Sequence, residues 1–171
     1  MERNEILEYR VEDESSSSRY LTFWADQQLF GLSIADVVQI VGMQHITRLP
    51  DVPAYVKGVI SLRKDVIPVM DVRVRLDREE KEYNDRTCII ITKIFENLFG
   101  FVVDAVDEVC DIPQGCITLP SNINAELSGG YLTGIARVEA GQNKEEKVIL
   151  IVDIKKLISE EEFTRLSQTE K

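Results

Sequence analysis

Residues 49–73 read Leu49-Pro50-Asp51-Val52-Pro53-Ala54-Tyr55-Val56-Lys57-Gly58-Val59-Ile60-Ser61-Leu62-Arg63-Lys64-Asp65-Val66-Ile67-Pro68-Val69-Met70-Asp71-Val72-Arg73. Two prolines open a turn, and two apolar runs follow, separated by a short charged tip. The spacing predicts a strand at residues 59–62, a tip at 63–65 and a longer strand at 66–74, where apolar and charged residues alternate. The stretch therefore predicts a β-hairpin, which favours a fold built from short antiparallel strands.

Two residue types in this stretch make more specific predictions. Pro53 fits the first position of a short helical coil, which Gly58 would close from the left-handed cap position. Pro68 cannot donate a backbone hydrogen bond, so its strand is predicted to be an edge strand or to carry a bulge. An edge strand beside a charged tip is a surface to which another chain can add.

The second half of the chain repeats the first, after a highly charged linker at residues 77–85. Three segments recur in the same order: residues 99–109 echo 30–40, residues 132–136 echo 56–60, and residues 148–155 echo 66–73. Matching order at roughly regular separation is typical of a duplicated unit. Each half holds about five short strands with glycine and proline turns, the pattern of small antiparallel barrels that share an apolar face.

The predicted organisation has three parts. Residues 1–18 form an acidic leader that is expected to be disordered, because it cannot bury enough apolar surface to offset ordering. Residues 19–158 form the main domain, divided into subdomains at 19–82 and 83–158, between which strands can be exchanged. Residues 159–171 form a helix and tail, with Ser159 and Glu162 as a capping box. The leader and the capped helix look like natural ends, which favours a stand-alone chain.

The motif Pro53-x-Tyr55-x-x-Gly58-Val59-x-x-Leu62-Arg63, followed by Val66-x-Pro68-Val69-x-Asp71-x-Arg73, resembles the signature of the CheW family of chemotaxis coupling proteins. The likeness extends from about residue 20 to residue 157, and it departs from the family pattern at Lys64, where a glycine is usual. The resemblance implies an all-β fold with short helices. In that fold two five-stranded SH3-like β-barrel subdomains pack on a shared hydrophobic core, followed by a short C-terminal helix.

Composition and charge exclude several classes of function. The chain has 171 residues and a formal net charge of -10, which argues against nucleic acid and against an anionic membrane as partners. No apolar run approaches the ~20 residues of a spanning helix, and the charged N-terminal residues are unlike a signal peptide. The 3 cysteines are odd in number, and inert thiols in a reducing cytosol are the simplest interpretation.

The residue types that carry catalysis are not arranged for it. The single histidine, His45, is predicted to lie in an exposed loop, and Cys110 and Cys116 have no further zinc ligand near them in sequence. Acidic residues at positions 104, 107, 108 and 111 lack the spacing of a calcium loop and are read as a solvated face. The sequence thus predicts a binding module with no cofactor and no metal.

The resemblance implies two partner surfaces on this chain. The residues matched to receptor binding are Val37, Gln39, Arg63, Thr87, Cys88, Val106 and Val109. The residues matched to kinase binding are Val41, Met43, Gly58 and Gly134. Two roles stay open for Arg63, which either offers its guanidinium to a partner or braces the fold by binding Gln39, where the family commonly has a glutamate.

The implied function is that of an adapter. It would bind the cytoplasmic tip of methyl-accepting chemoreceptors and the regulatory domain of a CheA-type histidine kinase. The chain is expected to be cytoplasmic, monomeric alone and part of receptor arrays, without nucleic-acid binding or membrane insertion. One alternative is a CheW-like module of a larger chemotaxis-type system with a different receptor or kinase. Two others are an enzyme with a thiol site at Cys110 and Cys116, and an OB-like single-strand binder.

Overall fold

A computed structural model describes residues 18–119, 130–140 and 145–158. The elements before the charged linker are β1 (Arg19–Ala25), β2 (Gln28–Ser33), a 3-10 turn (Ile34–Asp36), β3 (Val37–Gly42), β4 (Val56–Leu62), β5 (Asp65–Asp71) and the one-turn helix α1 (Val72–Arg75). Those after it are β6 (Cys88–Ile94), β7 (Asn97–Val103), β8 (Ala105–Asp111), a 3-10 turn (Gln114–Cys116), β9 (Ile117–Thr118), β10 (Leu132–Ala140), β11 (Glu145–Val152) and a 3-10 turn (Ile154–Lys156). The predicted β fold with short helical turns is confirmed.

The strands form two sheets, and each sheet combines strands from both sides of the charged linker. The six-stranded sheet has the order β8-β1-β2-β11-β10-β9, and the five-stranded sheet has the order β3-β6-β7-β5-β4. The hairpin β1–β2 therefore lies among strands of the second half, and the hairpin β6–β7 lies among strands of the first half. Because the two halves exchange hairpins, separating them would break pairing in both sheets.

The strand registers agree with the predicted repeat at the positions that can be compared. In the five-stranded sheet Val69 pairs with Gly100, and in the six-stranded sheet Ile151 pairs with Gly31. Both pairs are parallel. They occupy equivalent places in the repeat, because Gly100 corresponds to Gly31 and Ile151 corresponds to Val69. The register also shifts at equivalent places in the two halves. In the β4–β5 pairing it shifts just before Gly58, and in the β10–β11 pairing it shifts just before Gly134.

Each sheet is apolar on both faces. On one face the five-stranded sheet buries its own cluster, which is Val41, Ile60, Ile67, Val69, Ile89, Ile91 and Val102. The six-stranded sheet buries a second cluster, which is Tyr20, Leu29, Ile112, Ala136, Ile149 and Ile151. The opposite faces meet in a larger shared cluster that includes stacked Phe23 and Phe30, with ring centroids 5.7 Å apart. Burial on both faces explains continuous apolar runs such as residues 89–91.

Three local predictions for residues 49–73 are wrong. The strand ends at Asp71 rather than at residue 74, because the Asp71 carboxylate accepts the Arg73 N–H at 2.9 Å and caps α1. Gly58 does not close a helical coil, because it lies within β4 with a φ of 141°. Its positive φ occurs where the pairing of β4 with β5 shifts register, and not at the end of a helix.

The third correction concerns Pro68, whose strand β5 is internal, with β4 on one side and β7 on the other. Pro68 lies opposite Val59, and Val59 exchanges both of its backbone hydrogen bonds with Thr47, each at 2.8 Å. Pairing with β7 begins only at Val69. No ladder bond therefore requires an N–H at Pro68, and the proline is compatible with an internal strand.

Parts of the predicted organisation lie outside the described residues. These are the leader up to residue 17 and the helix with its capping box at 159–171. The boundaries of the predicted subdomains stay predictions. Within the part of the chain that the structure describes, no helix has the length and apolar character to cross a membrane.

Candidate functional site

Three half-buried apolar side chains lie together where the two sheets meet. Cys88 begins β6 in one sheet, and Val106 and Val109 belong to β8 in the other. All three pack against the shared cluster while remaining partly exposed. A hydrogen bond from the Val106 backbone to the Cys88 thiol connects the two strands. We call these three residues the intersheet patch.

The remaining predicted receptor-binding residues lie around the patch or apart from it. Thr87 precedes Cys88 but is only 5% exposed, and it closes a turn in which its backbone N–H donates to the Asn84 carbonyl. Val37 is 1% exposed and belongs to the shared cluster, so it supports β3 from inside. Gln39, on the same edge strand, is half-buried. Direct contact of a partner with Thr87 or Val37 stays a prediction.

Arg63 lies at the exposed tip of the β4–β5 hairpin, where its φ of 58° forms the turn. Among residues 18–119 it makes no hydrogen bond or ion pair, and the predicted brace to Gln39 is therefore not present. Arg63 lies beyond the end of β4 on an exposed tip, whereas Gln39 lies within β3. Contact of Arg63 with a partner, the other role left open, stays a prediction.

The predicted kinase-binding residues are divided between the sheets. Val41, which is 4% exposed, and the half-buried Met43 pack with the cluster of the five-stranded sheet. A Cβ at Gly58 would lie 2.1 Å from the Thr47 carbonyl oxygen, and one at Gly134 would lie 2.4 Å from Ile117 Cγ2. Both glycines are needed for close packing, which is a structural role. Their predicted contact with the kinase stays a prediction.

The acidic group predicted to be a solvated face is exposed at Asp107, Glu108 and Asp111, and its members also form ion pairs with cations of the same chain. Asp104 contacts Arg73 at 3.1 Å, and Asp111 contacts Arg19 at 3.2 Å. Lys147 binds both Asp107, at 3.2 Å, and Glu108, at 3.1 Å. Over the described residues, no three histidine, cysteine, aspartate or glutamate side chains form a group suited to a metal ion.

A buried charge network is the feature that sequence reasoning missed. Arg73, only 3% exposed, contacts the fully buried Asp71 at 3.2 Å and donates to the Lys81 carbonyl at 3.0 Å. Tyr83 donates to Asp71 at 2.9 Å, and its ring lies 5.4 Å from the Arg73 guanidinium. With the Arg73–Asp104 contact, the network ties β5, the charged linker and the start of β8 together. The sequence signal that could have revealed this network is the motif Asp71-x-Arg73.

The protonation of this network follows from its burial. Desolvation opposes the charge of Arg73, but the hydrogen bond and the charge of Asp71 outweigh it, so the pKa of Arg73 is raised. Desolvation and the Asp71 carboxylate together raise the pKa of Tyr83. Arg73 therefore stays cationic and Tyr83 stays a hydrogen-bond donor, as the short contacts to Asp71 require.

The environments of Cys88 and Cys110 do not favour thiol chemistry. Burial raises the pKa of Cys88 to about 11, against a smaller opposing effect of the Val106 hydrogen bond. Burial, followed by the charge of Glu108, raises the pKa of Cys110 to about 11 as well. A nucleophilic thiol needs a lowered pKa, so both residues are shifted in the direction opposite to reactivity.

Comparison with known proteins identifies the family of this chain. The family model for the CheW-like domain matches residues 19–162. The chemotaxis protein CheW of Klebsiella aerogenes is 28% identical over 162 residues, covering 95% of this chain and 94% of that protein. Bacillus subtilis CheW is 28% identical over 146 residues, covering 85% of this chain and 90% of that protein.

Protein FrzA of Myxococcus xanthus is a more distant relative, 27% identical, with 75% of this chain and 77% of that protein covered. Among solved structures, the scaffolding protein TtCheW of Thermoanaerobacter tengcongensis matches with a TM-score of 0.72 and 29% identity. The match covers 84% of this chain and 93% of that one. A family match over most of the chain agrees with a solved scaffold of the same fold, and we conclude that this chain belongs to the CheW-like family of chemotaxis scaffold proteins.

Proposed function

We propose that this protein is a chemotaxis adapter that binds the cytoplasmic tip of a methyl-accepting chemoreceptor and the regulatory domain of a CheA-type histidine kinase. By binding both, it couples the signalling state of the receptor to the activity of the kinase. The intersheet patch is the observation that supports this proposal most directly within a CheW-like chain. It is an apolar surface that the fold leaves partly exposed.

The proposed receptor contact is the insertion of an apolar helix face against the intersheet patch. Amphipathic helices bind apolar grooves through anchors at helical spacing, and the valines and the thiol of the patch offer a matching apolar surface. Arg63, which has no ion-pair partner among residues 18–119, is proposed to add a polar contact at the hairpin tip. The kinase contact is proposed at the sheet edge that includes Met43.

Coupling by an adapter of this type requires rigidity, not chemistry. Two binding equilibria influence each other when both depend on the same conformation of the adapter. The shared cluster and the Asp71–Arg73–Asp104 network supply this rigidity, because they fix the sheets against each other. A cytoplasmic location belongs to the same proposal, since both proposed partners present their binding regions there.

The test is isothermal titration of the full chain with a receptor tip fragment and, separately, with a CheA regulatory domain. Val106→Asp and Val109→Asp place a charge in the patch, while Val148→Asp places it on the outer face of β11, where the valine is already 44% exposed. A patch valine at the centre of an interface is worth about 2 kcal/mol, a loss of roughly thirtyfold in affinity. Equal affinities of all three variants for both partners would refute the proposal.

A second candidate is a CheW-like module that serves a different receptor or kinase of a chemotaxis-type system. The similarity to FrzA, a relative with another name, is the observation that favours it. Co-purification of the tagged chain from its own cell extract distinguishes the two. Recovery of a CheA-type kinase with chemoreceptors supports the first candidate, and recovery of another kinase alone supports the second.

A further inference from the structure

Two valines of the intersheet patch face the same side of β8 although they are three residues apart. Val106 pairs with Phe23, and Val109 pairs with Leu21, so three steps along β8 match two steps along β1. In a regular strand, residues three apart point to opposite faces. The extra residue at positions 107–108 forms a bulge, which turns both valines toward the shared cluster.

The side chain of Thr22 replaces the strand pairing that the bulge interrupts. Thr22 is 1% exposed and lies between Leu21 and Phe23, opposite the bulge. Its hydroxyl accepts the Glu108 N–H at 3.1 Å and donates to the Glu108 carbonyl at 2.9 Å. The backbone groups of a bulge lose their ladder partners, and buried groups without partners are costly. One hydroxyl thus satisfies both groups of Glu108.

A second set of polar contacts holds the bulge from outside. Lys147 of β11 donates to Asp107 at 3.2 Å and to Glu108 at 3.1 Å. The two side chains that the bulge turns outward are therefore tied to a strand that does not pair with β8. Thr22 and Lys147 restrain the same two residues from opposite sides.

The equivalent bulge in the other half is held by different forces. In β3 the register also shifts between Val37 and Gln39, which face Thr92 and Ile91 on β6. Ile91 has no hydroxyl, and the hydroxyl of Thr92 donates to the Phe99 carbonyl rather than to β3. There Val38 packs with the cluster of the five-stranded sheet. Apolar burial stabilises that bulge, whereas the bulge of β8 depends on polar contacts, of which the hydroxyl of Thr22 is the buried one.

We infer that the hydroxyl of Thr22 is a positioning group that fixes the bulge of β8, and with it the presentation of Val106 and Val109 in the intersheet patch. The consequence for partner binding rests on the proposed function. The positioning itself does not, because it can be measured without any partner. Thr22 acts only through β8, since its own side chain is buried beneath the bulge.

The experiment compares the full chain with Thr22→Val, which keeps the shape and removes the hydroxyl, and with Thr22→Ser, which keeps the hydroxyl. Peptide-resolved hydrogen exchange follows residues 105–111, with residues 97–103 as the internal reference. Alkylation of Cys88 by iodoacetamide, also resolved by peptide, reports whether the contact with the Val106 backbone persists. Leaving the two part-buried backbone groups of Glu108 without their hydroxyl partner corresponds to about a tenfold increase in local opening.

For Thr22→Val we therefore expect exchange in β8 and alkylation of Cys88 to rise about tenfold, with the reference peptide unchanged. For Thr22→Ser we expect both rates to stay within about twofold of the parent chain. Should Thr22→Val not fold, Thr22→Ala removes the same hydroxyl without adding a methyl group, and the same rises in exchange and alkylation are expected there. Parent-like rates in whichever of these two variants folds would overturn the inference.

Binding assays then separate this inference from the proposed function. Faster exchange in β8 with about tenfold weaker binding of the receptor fragment supports both. Faster exchange with unchanged binding of receptor and kinase fragments supports the positioning by Thr22 and overturns the patch as a partner surface. Unchanged exchange overturns the positioning whatever the binding assay shows.

Discussion

Replacing Arg73 with methionine tests whether the buried charge network holds the two halves together. The substitution preserves length and apolar volume but removes the contacts to Asp71, to Asp104 and to the Lys81 carbonyl, at 3.2, 3.1 and 3.0 Å. Asp71 is fully buried and would be left with the Tyr83 hydroxyl and the capping N–H as its donors. Breaking a buried pair by removing one partner costs about 3–5 kcal/mol.

This loss is a large share of the 5–15 kcal/mol by which domains are typically stable, so Arg73→Met should fold but unfold at much lower denaturant. With a urea slope of about 2 kcal/mol/M, the midpoint should fall by about 2 M. Fluorescence of Trp24, which borders the same linker region, follows the transition. Adding Asp71→Asn should recover part of the loss, because the uncompensated charge is then removed.

The matched control is Arg137→Met, which breaks the ion pair with Glu146 at 2.8 Å on the surface. Both side chains are largely exposed, and such pairs contribute at most about 1 kcal/mol. If Arg73→Met shifted the midpoint no more than Arg137→Met does, the network would not hold the halves together. The same conclusion would follow if Asp71→Asn restored nothing.

Three further outcomes are expected. In chemical denaturation, Gly58→Ala should lower the free energy of unfolding by more than about 2 kcal/mol, because φ is 141° and the added Cβ would collide with the Thr47 carbonyl oxygen. Gly42→Ala, which adds a Cβ in open space, should change it by less than about 0.5 kcal/mol. Equal effects of the two substitutions would contradict the packing argument. At pH 8 the thiol of Cys88, whose pKa is raised to about 11 by burial, should react with iodoacetamide far more slowly than in the urea-unfolded chain, where its pKa is ordinary, and similar rates would count against the burial. Phe101→Ala, in the shared cluster, should cost about 3–5 kcal/mol in the same denaturation assay, and a loss below about 1 kcal/mol would show that the cluster does not carry the interface between the sheets.

The raised thiol pKa values also set the sign of the pH dependence of stability. The folded chain retains protons at Cys88 and Cys110 up to about pH 11, while unfolded thiols release them near pH 8.5. Between these values the folded state binds more protons, so the free energy of unfolding falls as the pH rises. Thermal melts of the parent chain and of Cys88→Ser between pH 8 and 10 should show a shallower decline for the variant. Identical slopes would contradict this assignment.

Local pattern was sufficient for most elements of the fold. The hairpin at residues 56–71, the linker and the repeat of 30–40 in 99–109 follow from apolar runs, turn residues and order along the chain. Errors arose where a side chain overrides backbone periodicity. The Asp71 carboxylate ends β5 by capping α1, although Val72 and Val74 continue the alternation of a strand. Pro68 is tolerated inside a sheet because Val59, which lies opposite it on β4, exchanges its backbone hydrogen bonds with Thr47.

The candidate site was predicted less completely, because spacing along a strand does not reveal a bulge. Val106 and Val109 were named from the family resemblance, but their shared orientation depends on Thr22, a residue more than eighty positions earlier. The pairing of Arg73 with Asp104 is likewise a contact across the halves. Neither contact has a signature in the local sequence, since the partners are joined only by the packing of separate strands.

By itself the sequence determined a duplicated, two-sided β structure, because alternating and continuous apolar runs must be buried on one face or on two. It also determined membership of a scaffold family through a motif whose residues recur in order. Tertiary structure alone decided that the halves exchange hairpins, that the motif residues Asp71 and Arg73 form a buried pair, and that Val37 is inside while Val106 is at the surface. These facts depend on which strands become neighbours, and strand pairing is a property of the whole chain.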